Sequence, residues 1–237
     1  MFADDTKAYM SFVMESECQN LQEDVNNMTE WTNKWNLTFN ESKCKVMHLG
    51  VKNPNPKYYM QDLSGTKTEI ASTKEEKDLG VYLDPALNFR SHIAQITKKA
   101  NSITGLIIRN FKHLDTQSFV LLYKSLVRPT LEYAAPVWTP YMACDSNRLE
   151  AVKRRATRAV KTLRKKSYSE RLRLIGLPTL SYRRKRADII QVYKIFNSAE
   201  NITVTDNRLR LLNKRTYIQA YKLRANTQNV QIPSVTM

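Results

Sequence analysis

From Phe89 onward, apolar residues return at helical spacing, and this restricts the fold more than any other feature of the chain. Phe89, Ile93, Ile96, Ala100, Ile103 and Ile107 fall at i, i+4, i+7, i+11, i+14 and i+18, one stripe on a helix of 3.6 residues per turn. Asp115 can cap a second helix carrying Phe119, Leu122, Tyr123 and Leu126, because its carboxylate can accept from free first-turn N–H groups. Pro129 fits the start of a third helix that ends near Trp138. A fourth helix is predicted over about 145–166 and a fifth over about 181–197.

Before residue 88 the pattern differs. Short runs predict strands at Thr6–Val13, Cys44–Leu49 and Asp78–Leu83. A hairpin is predicted from Tyr58–Gln61 to Thr66–Ile70 about a Ser64-Gly65 turn. Cys18, Leu21, Val25, Met28, Thr32 and Trp35 share a stripe, giving a helix over roughly 17–35 with Ser16 and Gln19 as its capping box. The expected class is therefore α+β, with mixed elements in residues 1–88 and helices after them. The polar tail over 201–237 is expected to be poorly ordered.

Charge divides at the same place. The chain carries a net charge of +16, yet residues 1–88 hold 9 Lys/Arg against 14 Asp/Glu, and residues 89–237 hold 29 against 8. Segment 148–186 alone holds 15 against 2. Such a balance favours nucleic acid first and an anionic membrane surface second. The membrane reading is the weaker one, since the apolar faces are rich in Ala, Val and Leu without interfacial Trp. The uncharged stretch Tyr133–Cys144 is too short to cross a bilayer. Cys18, Cys44 and Cys144 are scattered, as are His48, His92 and His113, so neither a disulfide framework nor a zinc site is expected. Asp4, Asp5 and Lys7 stand where a secretory leader would be apolar, which points to the nucleus or cytoplasm and away from secretion.

On a helical wheel for 148–166, Leu149, Val152, Ala156, Ala159, Val160 and Leu163 gather on one side. Arg154, Arg158, Lys161 and Lys165 gather opposite, flanked by Lys153, Arg155 and Arg164. Cations in one row repel each other by a few tenths of a kcal/mol per i,i+4 pair, and a phosphate backbone reverses that cost through counterion release. These seven residues are candidate nucleic-acid contacts. Arg183, Arg184, Lys185 and Arg186 have three readings: a second phosphate-binding cluster, a nuclear import signal, or a helix start that stays solvated. Asp4 and Asp5 are adjacent carboxylates able to hold a divalent cation through oxygen ligands, although a bare pair is more often a solvated turn.

In sequence order, Phe2-Ala3-Asp4-Asp5, the Trp31/Trp35 helix, Asn40-Glu41-Ser42-Lys43-Cys44-Lys45 and Lys77-Asp78-Leu79-Gly80-Val81-Tyr82-Leu83-Asp84 resemble the reverse transcriptase of non-LTR retrotransposons. Leu122–Trp138, Leu149–Arg158 and Tyr182–Ile190 resemble the C-terminal region of jockey-like and CR1-like elements. The resemblance covers about residues 1–197 and rests on the order and spacing of its parts. It implies a partial polymerase palm over 1–88, a helical thumb over 89–140 and a basic helical extension over 141–200. It implies that Asp4 and Asp5 bind Mg²⁺ beside a primer end, and that Lys43 gives a proton to departing pyrophosphate. Leu79, Gly80 and Val81 would lie where the primer grip sits. The implied partners are an RNA template and a DNA primer, with dNTP as the small molecule of the full-length ancestor. In the family, a further palm aspartate and the fingers precede the Asp-Asp motif, whereas here only Met1, Phe2 and Ala3 do. The polypeptide alone is thus expected not to synthesise DNA. The alternative is a basic helical module that binds RNA or DNA without chemistry.

Overall fold

The computed structural model describes residues 6–10, 18–35, 37, 39–50, 53–61 and 65–196. Asp4, Asp5 and the expected tail over 201–237 lie outside these described residues. The chain divides into Met1–Leu180 and Ser181–Met237.

In the first unit, α1 (Cys18–Lys34) buries Cys18, Val25, Thr29 and Thr32. Three short ladders follow. β1 (Lys45–Val46) pairs in parallel with β4 (Ala71–Ser72). β2 (Tyr59–Gln61) and β3 (Lys67–Glu69) are antiparallel, as are β5 (Glu76–Asp78) and β6 (Val81–Leu83). The Gln22 side chain of α1 closes the free edge of β2: its Nε2 donates to Tyr59 O at 2.8 Å and its Oε1 accepts from Tyr59 N–H at 2.9 Å. That amide satisfies one backbone position that an adjoining strand would otherwise take.

The hairpin at Tyr58–Gln61 and Thr66–Ile70 forms as the sequence predicts. Three other strand expectations need correction. Thr6–Met10 has no strand structure, and Lys7 there bonds Asp78. Only Lys45–Val46 of Cys44–Leu49 pairs. Asp78–Leu83 is not one strand, because Leu79 and Gly80 turn the chain between β5 and β6 with φ of 44° and 86°. Two consecutive positive φ values are what a two-residue hairpin turn requires.

Gly80 is needed there twice over, since a Cβ on it would also lie 3.2 Å from Tyr133 Cε1. Gly80→Ala is expected to cost about 1–2 kcal/mol, while Leu79→Asn relieves an unfavourable left-handed leucine and adds about 0.5 kcal/mol. Urea unfolding of the two variants checks the opposite signs.

Asp84 ends this region and starts the helices. Its carboxylate accepts from the N–H groups of Ala86 at 3.1 Å, Asn88 at 3.2 Å and Phe89 at 2.8 Å. It thereby winds the chain into α2 (Arg90–Asn110), whose stripe Ile93, Ala100 and Ile107 is buried as predicted. Asp115 caps α3 (Thr116–Leu122) through Gln117 and Ser118 N–H. Pro129 does not begin a separate helix. A π-helical turn at Tyr123–Val127 carries α3 straight into α4 (Arg128–Glu132). Proline offers no N–H and crowds the carbonyl four residues back, and a widened turn relieves both. The chain then breaks at Tyr133 and Ala134 before α5 (Ala135–Trp138).

The predicted helix over 145–166 is also corrected. It is α6 (Ala143–Ala156), a turn and a 3₁₀ segment at Lys161–Leu163; α7 (Tyr168–Ile175), which the sequence does not predict, follows. Thr157 is buried and its hydroxyl donates back to Arg154 O at 3.1 Å, with N–H groups of Arg158 and Ala159 tightening onto Arg155 and Ala156. The crowd of like charges at Lys153, Arg154, Arg155 and Arg158 disfavours further helix here. The apolar positions keep their burial through the break, since Leu149, Val152, Ala156, Val160 and Leu163 all join one core running from Val81 to Leu180.

His92 sits in that core, its ring 5.1 Å from Trp138 and its Nδ1 accepting from Tyr82 N–H at 3.3 Å. Burial pulls its pKa below the ordinary value. The native state therefore resists a proton that the unfolded chain takes up near pH 6.5, so stability is full above that pH and falls as pH drops through it. Thermal unfolding from pH 7.5 to 5 is expected to show this loss, and His92→Gln to flatten it.

α8 (Leu180–Phe196), all but its first residue in the second unit, corresponds to the fifth predicted helix. Among the described residues no helix is long and apolar enough to cross a membrane.

Candidate nucleic-acid interface

The charge of the interface is set by what the acids of 143–175 are bonded to. Asp145 is buried and takes Arg90 Nε at 3.7 Å and Arg148 Nη1 at 3.5 Å. Glu150 is buried, accepting from the Tyr168 hydroxyl and from Leu180 N–H at 3.0 Å. Glu170 accepts from Ser167 N–H at 2.8 Å and closes the capping box of α7. Burial, then the hydrogen bond to Glu150, push the Tyr168 phenol far above its usual pKa, so it remains a donor. These three are the acids of the segment, and each is held by the fold. Among the described residues none of the three forms an ion pair with a cation of 154–165.

Arg154, Arg155, Arg158, Lys161, Arg164 and Lys165 are all exposed, and among the described residues none of them takes part in an ion pair. They do not form the single helical row that the wheel predicts. Arg154 and Arg155 end α6, Arg158 lies in the following turn, Lys161 opens the 3₁₀ segment, and Arg164 and Lys165 lie beyond it. The cations therefore follow a bent path, shaped by the chain reversal rather than by helical periodicity.

Lys153 departs from the expectation. It is buried, its ammonium donates to Pro178 O, and it lies 5.6 Å from the Tyr123 ring centroid. The loop after α7 supplies the carbonyl, so a residue on the flank of the wheel is drawn inward. In the second unit, Arg186 is exposed, Arg183 and Lys185 are half-buried, and Arg184 is buried. The four consecutive cations of α8 thus do not form one solvated cluster.

Lys43 ends the 3₁₀ turn Glu41–Lys43 and is exposed beside β1. Leu79 is exposed at the β5–β6 tip, where its carbonyl accepts from the Tyr133 hydroxyl at 3.0 Å. Val81 packs in the core. Only the tip of the Leu79-Gly80-Val81 run is available to a ligand. Among the described residues no group of three or more His, Cys, Asp and Glu could hold a metal ion.

The helices predicted from the sequence do not include α7, although Tyr168, Leu172 and Ile175 stand at i, i+4 and i+7 and its ends carry signals. Ser167 and Glu170 have capping-box spacing, and Gly176 adopts the left-handed C-terminal position at φ 62°. Arg171 on this helix is buried, and its Nε and Nη1 lack a hydrogen-bond partner. Its guanidinium and that of Arg154 lie 5.6 and 5.3 Å from the Tyr168 ring centroid.

Over 148 residues, covering 59% of this chain, the sequence is 30% identical to the RNA-directed DNA polymerase from mobile element jockey of Drosophila funebris. The matched stretch is 15% of that protein, so the chain spans a small part of this relative's length. No family model matches the chain, and no solved structure matches it.

Proposed function

We propose that this chain is part of an RNA-directed DNA polymerase of a non-LTR mobile element, and that its basic helical region holds the phosphate backbone of a template–primer duplex. The carrying observation is the exposed cationic surface from Arg154 to Lys165, none of whose cations is ion-paired among the described residues. Cations arranged this way gain by releasing counterions from a polyanion. The similarity to the jockey polymerase supports the polymerase assignment.

Within this reading, Asp4 and Asp5 hold Mg²⁺, since adjacent carboxylates offer hard oxygen donors that suit it. The ion supplies charge stabilisation for nucleotidyl transfer. Lys43, exposed on a short turn, carries the proton for the leaving pyrophosphate. The Leu79-Gly80 tip, fixed by Tyr133, touches the primer backbone. Such work belongs in the nucleus or cytoplasm.

A non-catalytic binding module is the second reading, and the same cationic surface favours it without Asp4 or Asp5. Photo-cross-linking to an RNA–DNA duplex, followed by peptide mapping, tests the interface: cross-links are expected within 154–173. Cross-links confined to residues before 88 would overturn it. Mg²⁺ titration monitored by calorimetry with the duplex bound then separates the two readings. Mg²⁺ uptake abolished by Asp5→Asn supports the polymerase, and duplex binding without Mg²⁺ uptake supports the module.

A further inference from the structure

We propose that Arg154 and Arg171, which share the Tyr168 ring, form with Arg158 a seat for one phosphate group of a nucleic-acid backbone. The inference rests on the interface reading above and adds a specific subsite to it. Arg171 is the unusual member. It is 2% exposed, and its Nε and Nη1 donate to nothing. Among the described residues Arg154, Arg158 and Arg171 take part in no ion pair. The acid on the same tyrosine, Glu150, is engaged by the Tyr168 hydroxyl and Leu180 N–H.

A buried guanidinium without an anion is strongly unfavourable, and a second guanidinium beside it makes matters worse. Burial and then the like charge of Arg158 both pull the Arg171 pKa below its ordinary value. The Tyr168 ring offsets part of this by lying against the Arg154 and Arg171 guanidinium groups. A cation–π contact uses none of the guanidinium N–H groups, and Arg171 Nε and Nη1 are left able to bind a phosphate at two points. Exposed Arg154 and Arg158 give the phosphate access from solvent, and Arg171 reinforces them from beneath, where a charge is poorly screened.

The test compares wild type with Arg171→Met and Arg158→Gln, using inorganic phosphate, an RNA–DNA duplex and phosphatidylserine-containing vesicles as probes. Inorganic phosphate is expected to shift the Arg171 Nε–H resonance and to raise the melting temperature of wild type but not of Arg171→Met. In phosphate-free buffer Arg171→Met is expected to melt higher than wild type, because it removes an unpaired buried charge. Its duplex Kd should rise about tenfold, and its salt slope should shrink by about one. Folded Arg171→Met with unchanged duplex affinity and slope would overturn the seat. If that variant does not fold, Arg158→Gln decides: loss of the phosphate-induced shift supports the seat, and an unchanged shift refutes it. A phosphate response without duplex binding keeps the seat and overturns the interface reading. Tighter binding to the vesicles than to the duplex overturns nucleic acid as the source of the phosphate.

Discussion

Replacing Arg154, Arg155, Arg158 and Arg164 together by glutamine is expected to weaken RNA–DNA duplex binding by about a hundredfold or more near physiological salt. The four side chains are exposed, so their removal leaves no hole in the core and no carboxylate stranded. Each cation withdrawn from a phosphate should reduce the slope of log K against log salt by about 0.9, or by about three to four for the set. The weakening should be similar for unrelated duplex sequences, because bonds to phosphate carry position and not base identity. Fluorescence anisotropy at several salt concentrations checks both effects. A matched control, Lys98→Gln with Lys99→Gln on exposed positions of α2, should change far less.

Trp138→Ala is expected to destabilise the protein by about 3–5 kcal/mol. Trp138 is fully buried, packs on His92 at 5.1 Å between centroids, and donates from Nε1 to Tyr133 O at 2.6 Å. That bond holds the break between α4 and α5, and the Tyr133 hydroxyl in turn holds Leu79 O at the hairpin tip. One side chain thus links the β5–β6 hairpin, α2 and the α4–α5 corner. With small domains stable by about 5–15 kcal/mol in total, such a change removes a large share of the folded population at physiological temperature. Trp138→Phe keeps most of the volume and loses the donor, and it should cost about 1–2 kcal/mol. Chemical denaturation of the two variants separates packing from the hydrogen bond.

Periodicity is a good guide to burial in this chain and a poorer guide to where elements stop. The Ile93, Ala100 and Ile107 stripe and the Asp115 cap are both as the sequence predicts. Helix periodicity runs through Thr157 without signalling a break, because Val160 and Leu163 stay apolar and buried on the far side of the turn. The break leaves the apolar spacing intact, so periodicity alone cannot mark it. The Leu79-Gly80 turn is hidden for a different reason: leucine is a poor left-handed residue, and only the glycine after it marks the site. Pro129 misleads in the opposite direction, since a π-turn lets the helix continue through it.

The cationic surface is legible as charge and only partly as geometry. Arg154, Arg155, Arg158, Lys161, Arg164 and Lys165 are exposed, whereas Lys153 turns inward to Pro178 O. That carbonyl comes from a loop distant in sequence, so no local pattern can announce it. Arg171 escapes a reading of the sequence because an arginine in a short basic helix looks solvated. Its burial depends on tertiary packing.

The most direct measurement is the salt dependence of the affinity of the chain for an RNA–DNA duplex. A surface of exposed cations outside any ion pair should give a log–log slope of about −4 to −7, lessened in the four-glutamine variant by about three to four. A slope near zero, or one that the four substitutions leave unchanged, would contradict phosphate binding at this surface.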